Sequence, residues 1–324
     1  MVKKLKYDLS IIIPIYNGQN YIEQCLKSIK TNKLKYEIII VNDGSKDKTK
    51  EILKKIKNKN IKIINLNKNY GVSYARNKGL DNVNGTYFTF IDIDDYINPH
   101  TYDKIYEIAT KDNLDICGFN FLEVDKKQVK SKYKYDNNLL NKDEIIKHTL
   151  KDEISLLIWD KIYKTEKYKD IRFNEQLKIN EDNLFVLNCI TKTNKARFIN
   201  EYLYNYQNNN NSLTNKYTCK QIKQNNYLKY IDDDIKQKLK KYNEYKIFKN
   251  NNLIKTIHLY SQCKDKKNRS KYLKENVDKN KLKKILRTKI NILTKIEIII
   301  YLISIKLHLK LYPTYEKIKQ IIRR

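Results

Sequence analysis

The 324 residues suffice for one large domain or for a domain plus an extension, and a hydrophobic content of 40% allows a real core. The formal charge of +30, from 67 Lys and Arg against 37 Asp and Glu, implies an anionic partner, but no basic run interleaved with aromatics forms a recognisable nucleic-acid module. The five cysteines, Cys25, Cys117, Cys189, Cys219 and Cys263, lie scattered without CxxC pairs, against a zinc site or a disulfide framework and in keeping with a reducing cytoplasm.

Met1-Val2-Lys3-Lys4-Leu5-Lys6 has the basic character of a signal-peptide start, but Asp8 and Pro14 interrupt the apolar run and no small-residue cleavage site follows. It reads as a solvated lead-in to a first strand, Leu9-Ser10-Ile11-Ile12-Ile13-Pro14-Ile15-Tyr16, with Pro14 marking the end. Asn17-Gly18-Gln19-Asn20 is a turn, after which Tyr21, Ile22, Cys25, Leu26 and Ile29 recur at helical spacing. A second strand, Glu37-Ile38-Ile39-Ile40-Val41, closes at Asn42-Asp43-Gly44-Ser45 and is followed by a Lys-rich helix with Ile52, Leu53 and Ile56. A third strand at 61–64, a short helix at 72–80 and a fourth strand at 87–91 continue the alternation expected of a parallel sheet with helices on both faces.

The fourth strand stops at Asp92-Ile93-Asp94-Asp95. Taken alone this is an acidic turn. Acids at the C-terminal end of a strand in an open α/β sheet, however, lie where ligands bind, and the spacing of Asp92 and Asp94 suits a hard cation such as Mg²⁺ or Mn²⁺. Neither G-x-G-x-x-G after the first strand nor a Walker P-loop is present; the strand ends carry Tyr16, Asn17, Asp43, Asp92 and Asp94 instead.

Ile12-Ile13-Pro14-Ile15-Tyr16-Asn17, Val41-Asn42-Asp43-Gly44-Ser45, the run Asn69-Tyr70-Gly71 to Arg76-Asn77-Lys78-Gly79-Leu80, and Asp92-Ile93-Asp94-Asp95 together resemble the ordered motifs of the family 2 glycosyltransferases. The resemblance implies an inverting enzyme of the GT-A fold: a mostly parallel central sheet with a helical C-terminal extension, a nucleotide-sugar donor, and Mn²⁺ or Mg²⁺. It implies donor contacts from Pro14, Tyr16, Asn17, Asp43, Lys68, Arg76 and Asp92, with Asp94 on the metal and Asp95 shaping the loop. The alternatives are a core Tyr16 and a solvated Arg76 on a Lys-rich helix.

Beyond 98–108, read as a helix, and 114–119, read as a strand, residues 126–138 lack apolar periodicity and read as a solvated loop or hairpin. Leu157-Ile158-Trp159-Asp160-Lys161 is similar to a segment that lines the acceptor side in relatives, so Trp159 and Lys161 are expected there, unless the lone Trp is core. Asn180-Glu181-Asp182-Asn183 is similar to the family's Glu-Asp pair at a helix start; Glu181 is placed on the acceptor side and Asp182 as the base, or else as a helix-capping carboxylate. Tyr202-Leu203-Tyr204-Asn205-Tyr206-Gln207 and Ser212-Leu213-Thr214 resemble the end of the catalytic domain, and Asn205, Gln207 and Asn208 to Asn211 stand where relatives often carry basic residues.

The resulting division is a catalytic domain at 1–215, with a donor half at 1–120 and an acceptor half at 121–215, then a Lys-rich helical region at 216–324. The apolar run at 298–305 is shorter than the ~20 residues a membrane span needs. It either lies in an anionic membrane interface or packs as an ordinary helix. The expected role is sugar transfer to a glycan or lipid-linked acceptor for bacterial surface-glycan synthesis, cytoplasmic or peripheral on the inner membrane face. The rivals are a sugar-nucleotide nucleotidyltransferase, which the first loop disfavours for want of a Gly- and Arg-rich turn, and a membrane-surface binding protein with a degenerate cleft.

Overall fold

A computed structural model of the chain describes residues 5–124, 128–207, 217–224, 226–288 and 290–322. These fall into two compact units, the first within 1–149, 153–208 and 227–238, the second within 150–152, 209–226 and 239–324. The boundary read from sequence at 215/216, Asn208 to Asn211 and Ser212 to Thr214 lie outside the described residues.

The first unit opens with β1 (Tyr7–Ile15), α1 (Ile22–Ser28), β2 (Tyr36–Asn42), α2 (Thr49–Lys54), β3 (Ile61–Asn65), α3 (Val72–Leu80) and β4 (Gly85–Phe90). It continues through β5 (Tyr96–Ile97), α4 (Thr101–Lys111), β6 (Ile116–Val124), β7 (Gln128–Lys130), β8 (Leu139–Asn141), α5 (Lys142–Leu150), β9 (Lys161–Lys164), α6 (Thr165–Tyr168), α7 (Glu181–Ile190) and β10 (Lys195–Gln207). One mixed sheet results, in the order β3-β2-β1-β4-β9-β6-β10-β5, with β7 on β6 and β8 on β10. Strands β1 to β4 pair in parallel, β6 pairs in parallel with β10, and β9 runs antiparallel to both β4 and β6.

The sequence pattern accounts for the centre of this sheet. Ile11, Ile12, Ile13, Ile39, Ile40, Phe88 and Phe90 have no exposure, as expected of parallel strands covered on both faces, which read as unbroken apolar runs. Helix α3 lies close on β1: a Cβ on Gly79 would come within 2.3 Å of Ile12 Cγ2, so a larger residue would push the helix off the sheet. The solvated stretch expected at 126–138 contains β7, hydrogen-bonded to β6 as a hairpin arm.

The second unit holds α8 (Cys219–Gln224), the end of α9 (Asp233–Lys240), α10 (Tyr245–Gln262), α11 (Arg269–Asn276), α12 (Lys279–Leu286), α13 (Ile292–Ile303) and α14 (Ile305–Ile322). Its core includes Ile257, Tyr260, Leu273, Leu282, Ile285, Ile298 and Tyr301. Asp278 caps α12 by accepting from the Asn280 and Lys281 amides, and Asn291 caps α13 by accepting from Thr294 N. One expectation is corrected here. Cys219 and Cys263 form a disulfide with Cα atoms 5.6 Å apart, because α8 and the end of α10 meet; a separation of 44 residues carries no local pairing signature. At the end of the chain, α13 breaks at Ser304, α14 restarts with Ser304 Oγ accepting from Leu307 N, and Pro313 sits inside α14 at the loss of one ladder hydrogen bond.

Candidate active site

The first loop of the site is tied to the second. Alternation along β1 sets this up: Ile12 O accepts from Ile91 N on the β4 side, whereas Ile15 O accepts from Asp43 N on the β2 side. Pro14 therefore turns its missing N–H toward β4, beyond the last pair of that ladder, Ile12 with Phe90, where no donor is needed. Pro14 is buried as the last residue but one of the strand. Tyr16 is 43% exposed, so it is not core. Asn17 adopts φ 53°; its amide donates to Ser45 Oγ at 2.9 Å and its side-chain oxygen accepts from Lys46 N at 2.8 Å.

Asp43 serves the backbone. It is 3% exposed, and its two oxygens accept from Tyr70 N and Gly71 N, each at 2.8 Å. Asp43 thus holds the 70–71 loop with one main-chain amide on each oxygen, which leaves each oxygen a second lone pair. Gly44 completes the clamp: at φ +65°, a Cβ there would sit 2.3 Å from the Lys68 carbonyl carbon. The loop so fixed leaves Lys68 exposed, its ammonium over the Tyr70 ring at 5.0 Å.

The acidic turn follows β4. Asp95 N donates to Asp92 O at 3.0 Å, closing the turn over Ile93 and Asp94. Asp92 and Asp94 are half-buried, whereas Asp95 is 1% exposed and accepts from Tyr204 Oη at 2.7 Å and Gln207 N at 2.8 Å. Burial, with the Asp92 and Asp94 charges, holds the Asp95 carboxyl well above the usual carboxylate range, against the pull of these two donors. Tyr204 also lies 3.3 Å from Asp92 N, so β10 braces the whole turn. Sequence reasoning took this tyrosine only as part of a domain end; its one signal was the dense Tyr202-Leu203-Tyr204-Asn205-Tyr206 run.

Arg76 is buried, not solvated. Its Nη2 meets Asp92 Oδ1 at 2.9 Å and its Nη1 meets Glu181 Oε1 at 2.7 Å, with the guanidinium 5.4 Å above the centre of the Phe173 ring. Phe173 is held in turn: Asn77 bonds both its amide and its carbonyl, and its ring stacks on Phe185 at 4.1 Å. Glu181, expected on the acceptor side, is 9% exposed and committed to Arg76. Arg76, expected on the donor, is neutralised by two carboxylates.

Next to this pair, Asp182 occupies the first turn of α7, whose N-cap Asn180 makes no side-chain cap bond. Asp182 Oδ1 accepts from Asn183 N at 2.8 Å, satisfying one of the amides that a helix start leaves open. Its carboxyl is pushed up to about 7, first by burial and then by Glu181, with Arg76 opposing. A half-buried acid titrating there can exchange protons near neutrality.

Trp159 and Lys161 are corrected. Trp159 is 4% exposed, stacks on Tyr204 at 4.2 Å and meets Phe121 edge-on at 4.8 Å. Lys161 is wholly buried, with its ammonium bound to Asp160 Oδ1 at 2.5 Å, Ser155 Oγ at 2.7 Å and Leu157 O at 2.9 Å. Neither side chain can reach an acceptor. The sequence could not reveal this, because a lysine inside a strand is tolerated only through the neighbouring Asp160.

Comparison with known proteins agrees with this architecture. The family described as glycosyl transferase family 2 matches residues 10–174, just over half of the chain, and the chain belongs to that family. It is 33% identical over 215 residues to the uncharacterized glycosyltransferase EpsJ of Bacillus subtilis, covering 64% of this chain and 62% of EpsJ. It is 32% identical over 208 residues to the poly(ribitol-phosphate) beta-N-acetylglucosaminyltransferase TarS of Staphylococcus aureus, covering 61% of this chain and 35% of TarS. The matches thus span less than two thirds of these relatives' own length. The crystal structure of S. aureus TarS 1–349 in complex with UDP superposes with a TM-score of 0.58 at 22% identity, covering 98% of this chain and 88% of that one, which shows the shared fold.

Proposed function

We propose that this chain transfers a sugar from a UDP-sugar donor to a hydroxyl of a glycan or lipid-linked acceptor, with inversion at the anomeric carbon, in bacterial surface-glycan synthesis. The observation that carries the reading is the convergence of Asp92, Arg76, Glu181 and Asp182 beside the acidic turn at the end of β4, the strand end where α/β sheets bind ligands. Family membership supports it, as do the structures of TarS with UDP and with UDP-GlcNAc.

In this reading Asp182 accepts the proton of the acceptor hydroxyl as that oxygen attacks the anomeric carbon. The bond from carbon to the diphosphate oxygen breaks, and UDP leaves with the electron pair. A base titrating near 7 is matched to this task, and Arg76 holds Glu181, whose charge helps to raise it, in place beside it. Tyr16, Asn17 and Lys68 are the exposed members of the expected donor set, Lys68 being the cation on hand for the diphosphate now that Arg76 is paired.

The residues fit a divalent cation. Among the described residues no group of three or more His, Cys, Asp or Glu converges on an ion, but Mg²⁺ and Mn²⁺ are commonly held by one or two carboxylates plus substrate phosphates. With Asp95 engaged by Tyr204 and Gln207, Asp94 and its half-buried neighbour Asp92 would hold the ion. When bound, it offsets negative charge on the departing diphosphate.

The test is UDP release from a panel of UDP-sugars with and without hydroxyl acceptors, followed by proton NMR of the product anomer. A β-linked product from an α-linked donor is expected. Retention of configuration would overturn the inverting mechanism, and release no faster than with Asp182→Asn would overturn the assignment of the base.

A further inference from the structure

Seven of the large apolar side chains exposed in this chain crowd onto its last two helices: Ile292, Ile296, Ile299 and Ile303 on α13, and Leu307, Leu311 and Ile318 on α14. They do not scatter around the helices. Residues 292, 296, 299 and 303 recur every third or fourth position, so they form one stripe along α13, and 307, 311 and 318 form a second along α14. Ile292 and Ile303 are each 73% exposed.

These stripes are not the packing faces. The buried residues of α13 are Thr294, Glu297, Ile298 and Tyr301, which at 3.6 residues per turn lie on the opposite side, and Ile305, His308 and Tyr312 are the buried counterparts on α14. Helix α13 therefore packs through one face and presents a second, all-isoleucine face that does not pack. A packed helix of a protein surrounded only by water has no use for the second.

Charge identifies the partner. The exposed lysines of α14, Lys306, Lys310 and Lys317, each precede a stripe residue by one position, so they form a row along a single flank of the apolar stripe; Lys295 takes the same flank on α13. From residue 290 onward the sequence holds seven Lys and Arg against Glu297 and Glu316, both of which are engaged, with His258 and Tyr312 respectively. Apolar side chains bordered by a lysine row suit an interface where hydrocarbon lies below and phosphate headgroups lie beside it, since lysine stems cover apolar surface while their ammonium groups reach the anions. Among the described residues no helix is long and apolar enough to cross a membrane.

We propose that α13 and α14 dock this chain onto the surface of an anionic lipid bilayer, with the two isoleucine and leucine stripes entering the headgroup boundary and the Lys306, Lys310 and Lys317 row meeting lipid phosphates.

The test is co-sedimentation of the full chain with vesicles of phosphatidylcholine, with and without about a quarter phosphatidylglycerol, at low and raised salt. The chain should pellet with the anionic vesicles and lose much of that binding as salt is raised. Ile296→Ser/Ile303→Ser should weaken partition at least tenfold, and Lys306→Gln/Lys310→Gln/Lys317→Gln about a hundredfold at low salt, at ~1 kcal/mol per lysine. All five side chains are exposed, so melting temperature should not move. Unaltered partition by either variant, or equal binding of the unmodified chain to neutral and anionic vesicles, would overturn the proposal. So would a dimer in sedimentation velocity that the isoleucine variant abolishes, because a second copy would then cover the stripe.

Discussion

Arg76 and Glu181 stand 105 residues apart in sequence and 2.7 Å apart in the fold, so one guanidinium ties helix α3 to the first turn of α7. Its other arm holds Asp92 at the end of β4. Both arms are used because a planar fork can meet two carboxylates at fixed angles, which an ammonium cannot. Three elements that carry the proposed chemistry are thereby positioned through one residue.

Removing that residue should be costly out of proportion to its size. Arg76→Ala leaves Glu181 buried without a counter-charge, and breaking a buried pair in this way costs about 3–5 kcal/mol. Adding Glu181→Ala should recover part of the loss. Urea unfolding of the two single variants and the double variant measures the coupling; strictly additive losses would show that the pair does not act as a unit.

A second brace is testable on its own. Tyr204→Phe takes the hydroxyl from Asp95, leaving a 1% exposed carboxyl with one fewer donor, and should cost about 1–3 kcal/mol. Because that hydroxyl also reaches the Asp92 amide, the acidic turn should loosen and UDP affinity should fall with stability. A stability loss with unchanged UDP affinity would confine Tyr204 to the core.

The central sheet was legible because Ile11 to Ile13, Ile38 to Ile40 and Phe88 to Phe90 are runs that only a doubly covered strand explains. Strand β9 was not, since four residues with lysines at both ends carry no pattern; nor was the start of β10, where the alternation of Lys195 to Phe198 is only four residues long before Ile199, Asn200 and Glu201 break it. The site followed the same division. Tyr16 and Asp92 follow strand ends and Asp182 lies in the first turn of a helix, but what each side chain binds depended on partners far along the chain. Asp43 reads as a ligand-facing acid, and its hold on Tyr70 N and Gly71 N, 27 and 28 residues on, has no sequence signal. Arg76 reads as a cation for a phosphate, and Glu181 claims it.

The cation reading predicts a difference between Asp94 and its neighbours. Asp94→Ala should abolish the gain in UDP affinity that Mn²⁺ confers, with transfer lost, while UDP binding without metal changes little. If EDTA leaves transfer by the unmodified chain intact, the metal-dependent reading fails.

The remaining prediction concerns Asp182 and its titration. The carboxyl moves from the ordinary 3.8 to about 7 in the fold, so between those values the folded chain binds more protons than the unfolded one. Stability arising from this group is therefore fully present below the unfolded value and is lost as pH rises toward the folded one. Transfer should follow the reverse course, rising with pH and levelling above about 7 as the carboxylate becomes available to take the acceptor proton. Asp182→Asn keeps an oxygen for Asn183 N but cannot ionise. It should melt higher than the unmodified chain at pH above about 7, match it near the unfolded value of 3.8, and transfer ~10²–10⁴-fold more slowly. UDP affinity should hardly change, because the donor contacts proposed lie at Tyr16, Lys68 and Asp94. A variant that turns over normally and melts as the parent does at every pH would return Asp182 to a helix-start carboxylate and leave the proton to another group.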